Sequence, residues 1–475
     1  WKDGDSNMSN SVAQVSPEIK EMLDASAPSR DLVRGGDWMG SLGHKYLPQF
    51  PQETDDDYEA RVKSTWLFDG VGKTVEDLAG KVFETPVLLS ETGTDLDVWA
   101  YNVDLQGRDL STFARECFDA AQVSGISFIM VDAPPRGADV TRLQAQQQNL
   151  RPYFVGLKIE DVIGYRAEII DNTPLLTQIR IMESTTENTN DEFAPDIIEQ
   201  IRVLTLPIEE GRVVGAVNVR LYRKNDAQEF ILYDAYETQM PRIYVTALDL
   251  GRDGFMKAKP CHSRLAEINL AHWRSQSDQA NIMHHARAPM KYFHGYSRED
   301  LESFTEGAGY AFYSSNENAK IGVVEHSGAA IDAGRTELKD MEFQMQAMGL
   351  QLIVSRTGSS TATGDMIDES KINSRLGMWA DNLKDTLELA FSYMADLAGI
   401  STDIDIIINK DYSASALSHL DMETLNKMFL AEVISKQTYI NEAKRRNVLS
   451  EEINPEDEAE MIEMSPMDMP DGNLG

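Results

Sequence analysis

Two long segments of helical periodicity, set close together, restrict this chain more than any other feature. In "TELKDMEFQMQAMGLQLIVS", residues 336–355, Leu338, Met341, Met345, Met348 and Leu352 recur at spacings of 3, 4, 3 and 4, which places them on one face of an α-helix. In "SKINSRLGMWADNLKDTLELAFSYMADLAG", residues 370–399, a second stripe runs through Ile372, Leu376, Trp379, Leu383, Leu387, Ala390, Met394 and Leu397. Gly399 is a natural stop just past its end. At the α-helical rise these rods are ~30 Å and ~43 Å long. Any fold for this chain must bury both stripes and turn the chain between them.

The connection is "RTGSSTATGD", residues 356–365. It is small, hydroxylated and flexible, and Gly358 and Gly364 give it freedom at an entropic cost to any one fixed shape. It is not a nucleotide cradle. A P-loop closes on Gly-Lys-Ser/Thr after a strand, whereas here Gly364 precedes Asp365 and the element before it is helical. Arg356, the one base in the stretch, reads either as a charge compensating a helix C-terminus or as a contact for a passing anion.

A third helical stretch, "SRLAEINLAHWRSQSDQANIMHHARAPM" at 263–290, is apolar at Leu265 and Ile268 but crowded with Arg, Gln, Ser, Asp and Asn in its middle. A helix polar all round needs neighbours that accept polar contacts, such as copies of itself. Between it and the 336–355 stripe lie short strand-like pieces, "MKYFHG", "YAFYSS" and "IGVVEHSG". Upstream, residues 153–260 alternate polar and apolar positions and predict a β-rich block. Before that block come a helix at 110–124, Gly125 and the strand "ISFIMVD". Tyr58, Val62, Trp66, Val75, Leu78 and Val82 predict one buried helical face, with Gly70 and Gly72 bending or breaking it. Residues 1–53 are Gly- and Pro-rich and predict loops, while 450–475 form a tail with nine acids and no base.

The whole is α+β. The chain has 475 residues, of which 78 are acidic and 44 basic, a formal net charge of -34. That balance excludes generic adhesion to nucleic acid through a basic face. The two cysteines, Cys117 and Cys261, exclude a disulfide framework or a Cys-rich zinc site. Cys117 shares a helical face with Phe113 and Ala121 and reads as a small buried residue. The longest wholly apolar runs, such as "FIMV" at 128–131, fall far short of a bilayer span, and the polar N-terminus has no signal-peptide pattern.

Of the histidines, the adjacent His284 and His285 point ~100° apart on a helix. His262 and His272 lack the i, i+4 spacing of a helical metal pair, so all read as helix-surface residues. The carboxylates at 55–57 open a helix, where the dipole accounts for them. No nucleophile elbow and no His-Glu-x-x-His motif occurs. The sequence offers no catalytic, cofactor-binding or metal-binding residue. The run Met341, Met345, Met348 fits either core filling or a helix–helix contact between subunits.

The order of parts resembles the portal proteins of tailed double-stranded DNA bacteriophages, the head-to-tail connectors, from about residue 30 to 460. The resemblance is carried by "YEARVKSTWLFDGVGKTVEDLAGKVFETPV", "ARECFDAAQVSGISFIMVDAPP", "LAEINLAHWRSQSDQANIMHHARAPMKYFHG" and "ELKDMEFQMQAMGLQLI". It implies an N-terminal, partly flexible arm at 1–29 and an α+β wing at 30–260. Stem helices follow at 263–287 and 336–355, around a small α/β clip at 288–335. A tunnel loop at 356–366, a long wing helix at 367–400 and a wing strand at 401–412 come next. Helices of the crown at 413–463 and a disordered acidic tail at 464–475 complete the chain.

The resemblance further implies a homo-oligomeric ring, usually of twelve subunits, at one capsid vertex of a virion, made in the host cytoplasm. Double-stranded DNA would pass non-specifically through its channel during packaging and ejection. The implied partners are the terminase large subunit, a head-completion, adaptor or tail protein at the clip, and the major capsid and scaffolding proteins, with no membrane and no cofactor. Arg356, Thr357, Gly358, Ser359, Ser360, Thr361, Ala362, Thr363 and Gly364 would face the channel. Leu265, Ile268, Trp273, Met341, Met345 and Met348 would form stem or subunit contacts. An adaptor or scaffold-like virion protein, or an acidic hydrolase, are the alternatives.

Overall fold

A computed structural model describes residues 11–134, 150–187, 196–287, 290–296, 316, 318–324, 328–349, 362–409, 419–431 and 433–445. The chain divides into two compact units, residues 1–410 and 411–475.

The N-terminal stretch is more helical than its composition predicts. Helix α1 (Pro17–Val33) starts where the Ser16 side chain accepts the Ile19 N–H, with Pro17 in the first turn. Ile19, Met22 and Leu32 are buried. Their stripe is diluted by Ser26, Ser29 and Asp31, which are buried as well, so the apolar signal is weak in sequence. From Pro17 on, the segment expected as a partly flexible arm contributes to a core helix. After α2 (Gly36–Leu42) come α3 (Asp55–Ser64) and α4 (Gly70–Val82).

The single face expected from Tyr58 to Val82 is divided between these last two helices. The Ser64 and Thr65 hydroxyls both donate back to the Arg61 carbonyl, at 2.9 and 2.7 Å, and Thr65 turns extended. Trp66, expected in the buried stripe, lies in the break and is 51% exposed.

Strand β1 (Leu88–Leu89) and helix α5 (Asp95–Trp99) lead to α6 (Leu110–Ser124) and β2 (Ile126–Asp132), where the periodicity places a helix and a strand. Gly125 joins them at φ +88, and a Cβ there would sit 2.2 Å from the Lys259 carbonyl oxygen, so the turn requires glycine. Next come β3 (Tyr153–Leu157), β4 (Val162–Ile170), β5 (Thr173–Glu187), β6 (Asp196–Thr205), β7 (Ile208–Glu209) and β8 (Arg212–Val213). They are followed by β9 (Asn218–Lys224), β10 (Phe230–Glu237), β11 (Val245–Asp249), β12 (Arg252–Gly254) and β13 (Lys257–Ala258).

Two antiparallel sheets carry this region, one in the order β10-β9-β6-β5-β4 and one in the order β11-β2-β3. Ile126, Phe128 and Met130 of β2 join Ile179, Ile181, Leu204 and Val219 of the larger sheet and Ile19 and Met22 of α1 in one core. Residues alternate faces along a strand, and Ser127 of β2 donates to the Cys117 carbonyl of α6 at 2.7 Å. Arg202 of β6 bonds Asp132 of β2 in the other sheet at 2.6 Å and Glu183 of the neighbouring β5 at 3.1 Å. Cys117 is buried as expected, and burial pushes its thiol up to about 12.

The remaining elements of the first unit are α7 (Ser263–Arg287), β14 (Met290–His294), β15 (Lys320–Val324), α8 (Gly328–Gly349), α9 (Ala362–Ala398) and β16 (Ile406–Ile407). Helix α9 runs along β11. Trp379 Nε1 donates to the Leu250 carbonyl at 3.0 Å and Asn382 Nδ2 to the Asp249 carbonyl at 2.9 Å. Leu376, Trp379, Leu383, Leu387, Ala390 and Met394 of its predicted stripe are buried. Strand β16 pairs antiparallel with β1, Leu88 opposite Ile407.

Helix boundaries differ from those expected by resemblance. Helix α8 begins at Gly328, inside the expected clip, and α9 begins at Ala362, inside the expected loop. In the second unit α10 (His419–Leu430) and α11 (Lys436–Arg445) meet through Phe429 and Tyr439, stacked 4.9 Å apart.

Candidate functional site

Helices α7 and α8 form an antiparallel hairpin with the β14–β15 ribbon between them in sequence. Three polar rungs fix the pairing. His272 Nε2 lies 3.3 Å from Glu342 Oε1, the Ser275 hydroxyl donates to Glu337 at 3.2 Å, and Gln279 Nε2 donates to the Ile331 carbonyl at 3.0 Å. Numbers rise along one helix as they fall along the other.

The hairpin has a buried root and an uncovered arm. At the root Leu265, Ala266, Leu270 and Trp273 pack with Met345, Val71 and Val75. Along the arm, every residue from Gly328 to Glu337 is exposed or half-buried, and burial on α8 begins at Leu338. On α7, Ser277 is the last described residue that is fully buried. Isolated helix pairs owe most of their stability to packing on a further element, and the described residues supply none there.

Asn269 is the hub of the root. It is 1% exposed in the middle of α7. Its Oδ1 accepts the Gly70 and Val71 N–H groups at 3.1 Å each, and its Nδ2 donates to the Phe68 carbonyl at 2.8 Å. It therefore satisfies two of the N–H groups that the start of α4 leaves open. Beside it, Arg61 grips Glu53 through Nε at 2.6 Å and Nη2 at 2.7 Å and donates from Nη1 to Ser277 at 3.1 Å. The Arg61 hydrogen bond holds the Glu53 carboxyl below its usual range. Gly349, where the described part of α8 ends, lies against Thr74 of α4.

The polarity of α7 is thus used within the subunit at Asn269, His272 and Ser277, where the sequence alone suggested contacts with copies of the chain. Sequence reasoning passed over Asn269 and the Arg61–Glu53 pair. The available signal was a lone Asn in phase with Leu265 and Trp273.

The histidine reading is corrected for two positions. His272 is 0% and His262 6% exposed, not on the helix surface. The His272 ring lies 6.1 Å from Trp66 and 5.4 Å from Phe68, and burial lowers its pKa, partly countered by Glu342. Burial, with Arg375 adding repulsion, lowers His262 to about 4. A histidine weaker as a base in the folded than in the unfolded chain stabilises fully above its ordinary value near 6.5. That contribution is lost as pH falls toward about 4. Asp119, raised to about 6 by burial, works in the opposite direction. The difference between parent and His262→Phe isolates the histidine: between pH 7 and pH 5 the variant should lose about 2 kcal/mol less stability in urea unfolding.

Of the expected contact residues, Leu265, Trp273 and Met345 are buried in the root core and Ile268 packs against it half-buried. Met341 is half-buried and Met348 is 54% exposed. The apolar surface that α8 leaves outward is Phe343, 61% exposed, with Met348. Of the expected loop, Arg356, Thr357, Gly358, Ser359, Ser360 and Thr361 lie outside the described residues, while Ala362, Thr363 and Gly364 open α9. Asp365 and Asp368 follow in its first turns, where carboxylates favour a helix start. Among the described residues no group of three or more His, Cys, Asp or Glu is placed to hold a metal. No described helix is long and apolar enough to cross a membrane.

Residues 263–398 match the family model described as "Domain of unknown function (DUF4055)". The match runs from the first residue of α7 to the last of α9. No curated protein matches. Among solved structures, the chain is similar to one in the neck of the native GTA particle computed with C12 symmetry, at 9% identity and TM-score 0.44, covering 84% of this chain and 96% of that one. A chain in the virion of the native gene transfer agent (GTA) particle gives 10% identity and TM-score 0.44, with 85% and 97% covered. One in the neck of the empty GTA particle computed with C6 symmetry gives 10% identity and TM-score 0.43, with 78% and 88% covered. These structural neighbours are neck and virion chains, matched over most of this chain.

Proposed function

We propose that this chain is the repeating subunit of a ring-shaped portal channel, a virion structural protein through which double-stranded DNA is packaged and ejected. The uncovered arm of the α7–α8 hairpin carries the reading. Two helices with a firm root and, among the described residues, no third layer along their outer half are completed by the same arms of neighbouring copies. Heterologous contacts of that kind close a cycle. Strand β10 supports it: this edge strand exposes Ile231, Leu232, Tyr233 and Tyr236 at 46, 53, 59 and 45%. Bare apolar edges are a liability unless a partner covers them.

The arms would form the stem, the β14–β15 ribbon the clip that meets an adaptor or tail protein, and the segment between α8 and α9 the tunnel loop. Packaging force would come from a separate terminase ATPase docked on the ring at the capsid vertex. The excess of 78 acids over 44 bases suits a conduit, since each phosphate clamped by Lys or Arg adds affinity that movement must break. Small hydroxyl side chains graze a duplex without reading it.

Deleting residues 357–361 leaves every described residue of both flanking helices in place. The expected result is normal ring assembly, with DNA packaged or retained at least tenfold less well, read as DNA-filled particles by density centrifugation. Full DNA content in the deletion mutant would remove the loop from the channel.

A further inference from the structure

The five-stranded sheet carries three arginines on one face. Arg180 of β5 and Arg220 of β9 are both paired with Val203 of β6, which puts them on the same face, roughly 10 Å apart by strand spacing. Arg166 of β4 lies two residues from Gly164, the partner of Arg180, and so shares that face. All three line a cavity of about 620 Å³ beside the start of α1. The Arg180 guanidinium passes over Gly164, where a Cβ would meet its Nη2 at 2.4 Å.

Among the described residues none of the three guanidiniums has a carboxylate partner, although acids outnumber bases in the chain by 78 to 44. Arg180 donates to the Ser11 and Val12 carbonyls at 3.1 and 2.7 Å, and among the described residues Arg220 reaches only the Thr205 hydroxyl, at 3.4 Å. The Arg166 guanidinium has no partner among the described residues. Glu18 also lines the cavity, but no ion pair joins it to the three. Burial, with repulsion from Arg166, lowers the Arg180 pKa, so the charge is held there against a cost.

We propose that this cavity is a binding site for a phosphate-bearing anion of at least two negative charges. One carboxylate satisfies one guanidinium through a two-bond fork, whereas three around one space match an anion with oxygens on several sides. The volume falls within the ~300–1,000 Å³ of ordinary ligand sites. The source is free phosphate, such as pyrophosphate, or the phosphodiesters of a nucleic acid. The site does not depend on ring closure.

The test titrates the full chain with pyrophosphate, with a short DNA duplex and with poly-glutamate, by calorimetry at constant ionic strength. Saturable binding of pyrophosphate or duplex is expected, at least tenfold weaker in Arg166→Gln/Arg220→Gln. Binding of pyrophosphate alone assigns a small phosphate, and displacement of pyrophosphate by duplex assigns phosphodiesters. Should the double variant fold poorly, Arg166→Gln alone is expected to weaken binding at least threefold, since that exposed side chain bonds no other described residue. The site is refuted if neither phosphate ligand saturates, if the variants bind like the parent, or if poly-glutamate binds in preference to both.

Discussion

Asn269→Leu is expected to lower the stability of the subunit by about 1–3 kcal/mol in denaturant unfolding. Leucine nearly preserves the volume, so the loss is not a cavity effect. It comes from leaving the buried Val71 N–H without a partner and the Gly70 N–H with only its bond to the Phe68 carbonyl, at 3.0 Å. A buried N–H without a partner costs about 1–3 kcal/mol. Asn269→Asp keeps the acceptor and loses the donor, and should fall between parent and leucine variant. Glu267→Gln, two residues earlier and exposed, should stay within about 0.5 kcal/mol. A leucine variant as stable as the parent would mean that α4 does not depend on this cap. The hairpin would then be rooted by apolar packing alone.

Phe343→Glu combined with Met348→Glu is expected to abolish assembly while leaving the subunit folded. Both side chains are more than half exposed, at 61 and 54%, so charging them costs the isolated subunit roughly 0.5 kcal/mol or less each. In a stem of packed arms the same carboxylates would enter an interface without partners, at several kcal/mol per contact. In a ring, every subunit makes that contact twice. Sedimentation of the purified variant should give the mass of one chain with an unfolding midpoint like the parent's. Assembly indistinguishable from the parent's would show that this face of α8 looks away from neighbours.

Much of this architecture was legible locally, and what was not has a common cause. The α6–Gly125–β2 passage follows from periodicity and a helix-stop glycine, and the start of α7 at Ser263 from the change of pattern there, signals that act within a few residues. The stripe of α9 is equally plain: Leu376, Trp379, Leu383 and Leu387 are all buried on a helix that packs on β11 and β2. Trp66 misled because side-chain hydroxyls at Ser64 and Thr65 end α3 one turn early. The burial of His262 and His272 and the hub role of Asn269 depend on elements about 70 to 200 residues distant in sequence. No spacing rule reaches that far. The arginines of the sheet were likewise scattered over three strands, and only the register brings Arg166, Arg180 and Arg220 to one cavity. The resemblance to head-to-tail connectors marked the helix–ribbon–helix order but placed the start of α8 too late and that of α9 too late.

Electron microscopy of the purified full chain, with its mass measured in the same buffer, tests the central claim most directly. The account predicts closed rings with a central opening at least as wide as a DNA duplex, formed by one polypeptide species. A population of single subunits at micromolar concentration, with no ring in solution or in particles, would contradict it.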